Sequence, residues 1–184
     1  LRARITDRAI RPLFPDGLRN EVMVYITVLS YDGINSPEIA ALNATSAALL
    51  ISQIPFPTAT GAVRVGRANG QFILNPTVEQ QKSGELDLLV AGTRTAINMV
   101  EAGANEINEA DTVAALRFAH EAIVKIIDAQ EAFAKRAGKK KFEFTAPTLP
   151  DDVKAKVEDL AAARFEKLVN GGLTKEEFAH EEHT

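Results

Sequence analysis

The chain has 184 residues, a formal net charge of −4 and no cysteine. That length holds one good core and part of a second domain. The acid excess excludes a uniformly basic nucleic-acid binder, so any such contact must come from a local cluster, and the missing thiols exclude a disulfide framework or a thiolate metal site. No apolar run reaches membrane-spanning length and no signal peptide is visible, so a cytoplasmic protein with no membrane partner is expected. A start at Leu1 and a polar end within an apparent helix are expected to be cuts inside a longer protein.

Residues 1–15 are rich in arginine: Arg2, Arg4, Arg8 and Arg11, with Arg19 close behind and only Asp7 and Asp16 opposing. Arg4, Arg8 and Arg11 share one face of a helix, while Ile5, Ile10 and Leu13 point elsewhere. Two readings follow: contacts to a phosphate backbone, or a solvated helix paired with acids elsewhere. Glu21–Ser30 is β-branched and apolar on both faces, which predicts a central strand. Tyr31-Asp32-Gly33 is turn chemistry. Ser36-Pro37-Glu38 opens a helix running towards Ile54: Ser36 is a suitable N-cap, Pro37 suits the first turn, Glu38 complements the helix dipole, and Pro55 and Pro57 end it. Its body carries no charge, so burial on more than one face is expected.

Beyond it, Asn69-Gly70 between two apolar runs marks a hairpin. Leu86–Ala91 reads as a buried strand and Ala96–Glu101 as its neighbour, giving a meander of about four strands beside the one at 21–30. Asn108-Glu-Ala-Asp111 resembles a capping box before a long helix that ends at Gly138. Lys139–Lys141 reads as a solvated connector and Thr145–Pro150 as a linker. Asp151–Val169 is an amphipathic helix with Val153, Val157, Leu160 and Leu168 on one face, and Thr174 starts another. The expected class is α+β: a core over 1–144, then the start of an all-helical domain over 145–184.

Candidate chemistry is sparse. His120 lies inside the long helix and reads as structural. His180 and His183 stand at metal-sharing spacing but lack a third ligand nearby, so no metal site is assigned. Gly92-Thr93-Arg94-Thr95 suits either an anion held by amides and guanidinium or a plain hairpin reversal. Asp87, on a buried strand, needs a partner or must face outward.

Arg4-Ile-Thr-Asp-Arg8-Ala-Ile-Arg11-Pro-Leu-Phe-Pro15 resembles the first ribonuclease-PH-type core of the bacterial polynucleotide phosphorylase family. The likeness continues through Asn20-Glu21-Val, Ser46-Ala-Ala-Leu-Leu, Ile54-Pro-Phe56, Leu74-Asn-Pro-Thr77 and Leu86-Asp87-Leu-Leu-Val-Ala-Gly-Thr93, and more loosely into the helical domain linking the family's two cores. The resemblance implies a ribonuclease-PH-like fold of mixed or antiparallel sheet with packed helices. It implies a ring-forming homotrimer that degrades single-stranded RNA from the 3′ end with inorganic phosphate and Mg²⁺, releasing nucleoside diphosphates. It also implies an N-terminal part of this core, a second core and RNA-binding domains beyond this sequence.

In that family the second core is catalytic, and its serine-rich loop binds phosphate at the start of the buried helix. The matching place here is Ser36-Pro37-Glu38, a degenerate phosphate site in which Pro37 removes an amide donor and Glu38 brings a like charge. Of the catalytic Asp-x-Lys and an upstream aspartate, Asp87 persists, whereas Leu89 and Gln81 hold the other places. The resemblance therefore implies no catalytic residue and no bound Mg²⁺ or phosphate in this segment. RNA guidance by Arg2, Arg4, Arg8 and Arg11 and trimer building remain. A non-enzymatic, exosome-like ring subunit is the alternative.

Overall fold

In the computed structural model, which describes residues 3–182, the chain divides into two compact units, 1–145 and 146–184. The first unit opens with helix α1 (Ala3–Ile10), a 3-10 turn over Arg11–Leu13 and helix α2 (Pro37–Ile51). Strands β1 (Gly61–Ala68) and β2 (Gln71–Leu74), helix α3 (Val78–Ser83), strands β3 (Leu86–Gly92) and β4 (Ile97–Ala104) and helix α4 (Glu109–Ala137) follow.

The strands form one antiparallel sheet in the order β2-β1-β3-β4. This corrects the expected meander, because β3 returns beside β1 rather than β2. The reason lies in β1, whose Ala62, Val63 and Val65 are apolar towards both faces and fully buried, so its long central stretch needs full-length neighbours. β2 has four residues and pairs only with 65–68. Asn69 and Gly70 supply the two positive φ values, 51° and 74°, of a tight hairpin. α3 was missed by sequence reasoning, although Thr77 and Gln80 form a reciprocal capping box that marks its start.

Strand alternation sorts the core into two layers. Ala62, Leu89, Ala91 and Met99 face α1 and α2, where Ile5, Ala9, Ile10, Leu42 and Leu49 pack. Val63, Val65, Leu86, Leu88 and Val90 face α4, against Ala115, Ala119, Ile123 and Ile127. Phe14 rests on the buried Phe56, with ring centroids 5.2 Å apart, so the apolar half of the Arg-Pro-Leu-Phe-Pro stretch is packing.

α2 is buried on more than one face and covers the part of β1 that β2 does not reach. Asn43 both donates to and accepts from the Ala62 backbone, at 3.0 and 2.8 Å. Ser46 accepts from the Thr60 amide at 3.0 Å, and Gln130 of α4 donates to the Thr60 carbonyl at 3.0 Å. Asn75 pairs with the Arg64 backbone, its side-chain Oδ1 accepting at 2.9 Å and its own backbone amide donating at 2.6 Å. Side chains of Asn43, Ser46, Asn75 and Gln130, with the Asn75 backbone amide, thus stand in for a missing strand and satisfy an otherwise orphaned edge. The helix ends at Ile51 rather than Ile54, with Ser52 closing it through Leu49 and Ala48.

Two further corrections concern segments around α2. Glu21–Ser30, expected as a central strand, lies extended outside any sheet. Its β propensity finds no neighbouring strand to pair with: β1 and β4 are already flanked by α2 and α1, and propensity alone cannot form a ladder. Val22, Val24 and Ile26 line a cavity of about 590 Å³ beside Thr6, Ile10 and Phe14. Tyr25 and Leu29 are 83% and 93% exposed. The second correction is Lys141, expected to be solvated. Its ammonium donates to the carbonyls of Leu49, Leu50 and Ser52 at 2.8–2.9 Å. Those carbonyls end α2 with no next turn to receive them, and a cation suits that end of the dipole. The Lys139 and Phe142 amides bind Ile51 and Gln53 on either side, so residues 139–142 form a strap.

The second unit holds helices α5 (Asp151–Asn170) and α6 (Lys175–Glu182). Thr174 and Glu177 cap α6 reciprocally, at 2.9 and 3.3 Å. No residue of α5 is buried, and Val157 and Leu160 of its apolar face lie open.

Candidate functional site

Two places bear on function. The first is the outer face of α1. Ile5, Thr6, Ala9 and Ile10 turn inward, which leaves Arg4, Arg8 and Arg11 together on the exposed side. Arg8 donates to Glu101 of β4 at 3.3 Å and to the Val100 carbonyl at 3.4 Å. Arg11 forms a fork with Asp7 at 2.7–3.2 Å. Arg4 has no ion-pair partner among the described residues. The solvated-helix reading therefore holds in part: the arginines share a solvent face, and two of the three are paired with acids. Arg2 lies outside the described residues.

The second place is the start of α2. Ser36 is its N-cap residue, yet its hydroxyl makes no capping bond; it donates to Glu38 at 3.5 Å, correcting the expected cap. The Glu38 carboxylate turns to Arg64 of β1, at 2.8 Å. The same guanidinium donates to Gln81 and lies 3.5 Å from Asp87 of β3. Glu38 and Arg64 side chains are 17% and 10% exposed. A buried charge needs such partners, because desolvation would otherwise dominate. Register explains the convergence: Arg64 sits opposite Leu89 on β3, two positions from the Gly66–Asp87 pairing, so Asp87 falls diagonally beside it on the same face. The adjoining cavity of about 360 Å³ is lined by Asn43, Asn75, Gln81 and Arg64 rather than by a run of hydroxyls.

Sequence reasoning had singled out Glu38, Gln81 and Asp87 separately and passed over Arg64, the cation on which they converge. The available signal was an arginine inside the apolar run Ala62-Val-Arg-Val-Gly. Its presence also bears on the metal question for this place. Asp87 is turned to a guanidinium, and no group of three His, Asp or Glu side chains that suits a metal exists among the described residues. These residues do not fit Mg²⁺.

The remaining candidates are structural. Arg94 is held by Asp128 and Glu131 of α4 at 2.7 and 2.9 Å, and those two carboxylates raise its pKa. The Thr93 amide closes the hairpin on Ala96 at 2.8 Å, so this turn reverses the chain. His120 donates from Nε2 to the Thr93 carbonyl at 3.0 Å. His180 lies on α6, and His183 lies outside the described residues.

Sequence comparison reports on the same elements. The 3′ exoribonuclease family, domain 1, matches residues 1–55, which include α1 and α2; domain 2 of that family matches residues 58–122, which include the whole sheet. The chain belongs to the 3′ exoribonuclease family. It is 47% identical to the polyribonucleotide nucleotidyltransferase of Syntrophomonas wolfei over 92% of this chain and 24% of that protein. The Thermus thermophilus polyribonucleotide nucleotidyltransferase is 48% identical over 89% and 23%, and the mitochondrial polyribonucleotide nucleotidyltransferase 2 of Arabidopsis thaliana 46% over 90% and 17%. Among solved structures, rice Rrp46 aligns with 55% of this chain and 48% of its own, with 19% identity and a TM-score of 0.49. The chain thus spans about a quarter, or less, of the curated relatives it matches. No helix among the described residues is long and apolar enough to cross a membrane.

Proposed function

We propose that this member of the 3′ exoribonuclease family is part of a phosphate-dependent 3′-to-5′ exoribonuclease, and that this segment is its non-catalytic half. In this reading the whole protein works in the cytoplasm, uses inorganic phosphate and Mg²⁺, assembles as a homotrimer and carries a second core that does the chemistry. The residues here guide single-stranded RNA and help build the ring.

One observation carries the silent-half reading: the Arg64 guanidinium is already engaged from within, by Glu38, Gln81 and Asp87. An incoming phosphate at the start of α2 would meet the Glu38 carboxylate before it met the guanidinium. At ~4–5 Å and an effective dielectric near 20, two unit charges repel by roughly 3–4 kcal/mol, which is over a hundredfold in affinity at a factor of ten per ~1.4 kcal/mol. The arginine face of α1 supports RNA guidance, because planar guanidinium forks suit phosphate oxygens. Contacts of that type position a strand without reading its bases.

The test compares poly(A) phosphorolysis by the 184-residue chain and by the complete protein, with phosphate and Mg²⁺. The expected result is nucleoside diphosphate release by the complete protein alone. Release by the 184-residue chain would overturn the silent-half reading. For guidance, Arg4, Arg8 and Arg11 changed together to Ala weaken poly(A) binding and flatten its salt dependence; an unchanged salt slope counts against it.

A further inference from the structure

The carboxylates on the arginine face have a role that charge counting alone hides. We propose that Glu101 and Asp7 are positioning residues that occupy Arg8 and Arg11 until RNA phosphates displace them, so that the α1 face binds RNA by exchange of one anion for another. This rests on the RNA-guiding reading above and adds the residues that regulate it.

Three observations carry it. Each acid meets its arginine through groups that phosphate would use: the Nη1 atom of Arg8 at 3.3 Å from Glu101, and the Nε and Nη2 atoms of Arg11 at 2.7–3.2 Å from Asp7. A carboxylate presents two oxygens to a guanidinium much as phosphate does. Second, both pairs lie in water. The side chains of Arg8 and Glu101 are 44% and 36% exposed, those of Arg11 and Asp7 77% and 49%. Exposed pairs of this kind are weak and exchange readily, whereas the Arg64 pair is shut away from solvent. Third, the acids come from different elements. Asp7 is one turn before Arg11 on α1, while Glu101 reaches Arg8 from β4. β4 also fixes the backbone of α1 through Asn98, which donates to the Ala9 carbonyl at 2.9 Å. Arg8 therefore stays oriented without RNA, and Arg4 offers the first charge to an arriving strand.

The functional consequence is moderated affinity. When phosphate replaces a carboxylate, the displaced acid remains nearby and repels the strand, so the net gain per contact is small. A surface of that kind lets a strand shift by one nucleotide, where a fully unpaired arginine cluster would hold it.

The test uses the whole 184-residue chain and a fluorescein-labelled oligo(A), with binding followed by anisotropy across a salt series. Glu101→Gln and Asp7→Asn keep shape and remove the charge. Each is expected to tighten binding and to steepen the slope of log affinity against log salt by up to about 0.7, the value for one phosphate contact on a single strand. Between 50 and 200 mM salt that is about a 2.6-fold difference in the gain. The gain from Glu101→Gln is expected to vanish in an Arg8→Ala background, which shows that it acts through Arg8. Glu158→Gln on α5 removes the same charge elsewhere and is expected to leave the slope unchanged.

An unaltered slope in both single variants, while the triple arginine variant still loses binding, overturns this proposal and leaves RNA guidance standing. An equal steepening by Glu158→Gln also overturns it, because net charge would then explain the effect. If the triple arginine variant binds like the parent, RNA guidance itself falls.

Discussion

Replacing Glu38 by Ala removes the closest partner of a guanidinium that water hardly reaches. Arg64 loses its 2.8 Å contact, keeps Gln81, and is left with Asp87 at 3.5 Å; its Nε already lacks a hydrogen-bond partner. Breaking a buried pair from one side costs about 3–5 kcal/mol. The remaining acid and amide put this case at the lower end, about 3 kcal/mol. For a domain of this size that lowers the melting temperature by roughly 10 °C. Removing both ends, as Glu38→Leu with Arg64→Met, is expected to cost about 1 kcal/mol or less, since neither desolvated charge remains. Urea unfolding of the parent, of Glu38→Leu and Arg64→Met singly, and of the double variant completes the cycle. Inorganic phosphate is also expected to raise the melting temperature of Glu38→Ala and leave the parent unchanged, because only the variant frees the Arg64 guanidinium from its closest carboxylate beside the start of α2. A loss below about 1 kcal/mol in Glu38→Ala, with additive effects in the double variant, would refute the reasoning that Arg64 is neutralised mainly by Glu38.

Two further outcomes follow from the same structure. Lys141→Met strips the donor from the last carbonyls of α2. Leu49 keeps Ser52 as a donor, whereas Leu50 and Ser52 lose theirs, so thermal unfolding should show a loss of about 2–3 kcal/mol. Burial pushes the Lys141 ammonium below its ordinary pKa, while the three carbonyls favour the charged form, so Met removes a cation that the site is shaped to hold. Asp32 responds to acid. The Asn35 amide first, then the Ile34 amide and the Asn35 side chain, hold its carboxyl below the ordinary value of 3.8. The folded state therefore binds the proton less tightly than the unfolded chain, and this turn's contribution is full above pH 3.8 and lost as pH falls through the lowered value. Amide exchange of Ile34 and Asn35 should accelerate there, and Asp32→Asn should abolish that acid step.

Local rules were enough wherever an element's own residues decide it. Asn69-Gly70 made its hairpin, Asn108 capped α4, and the uncharged body of α2 went inside. What escaped was decided by distant partners. Lys141 reads as one of three consecutive lysines until the end of α2 is brought beside it. Arg64 reads as an oddity in a strand until Glu38, from α2, and Asp87, from β3, converge on it. Glu21–Ser30 shows the reverse failure, because its composition is right for a strand and pairing requires a second chain segment that the sheet does not supply. The arginine face was legible as a face from its helical spacing, while the identity of its acids was not, since Glu101 lies 93 positions from Arg8.

That same extended stretch has a practical consequence. Residues 22–31 contain no charge, no proline and no glycine, and five of the ten, Val22, Val24, Ile26, Thr27 and Val28, are β-branched. Such windows stack readily into cross-β fibres when nothing covers them. Crowding, more than heat, is then the stress that this polypeptide tolerates least, and a concentrated stock should convert to thioflavin-positive material well below its melting temperature.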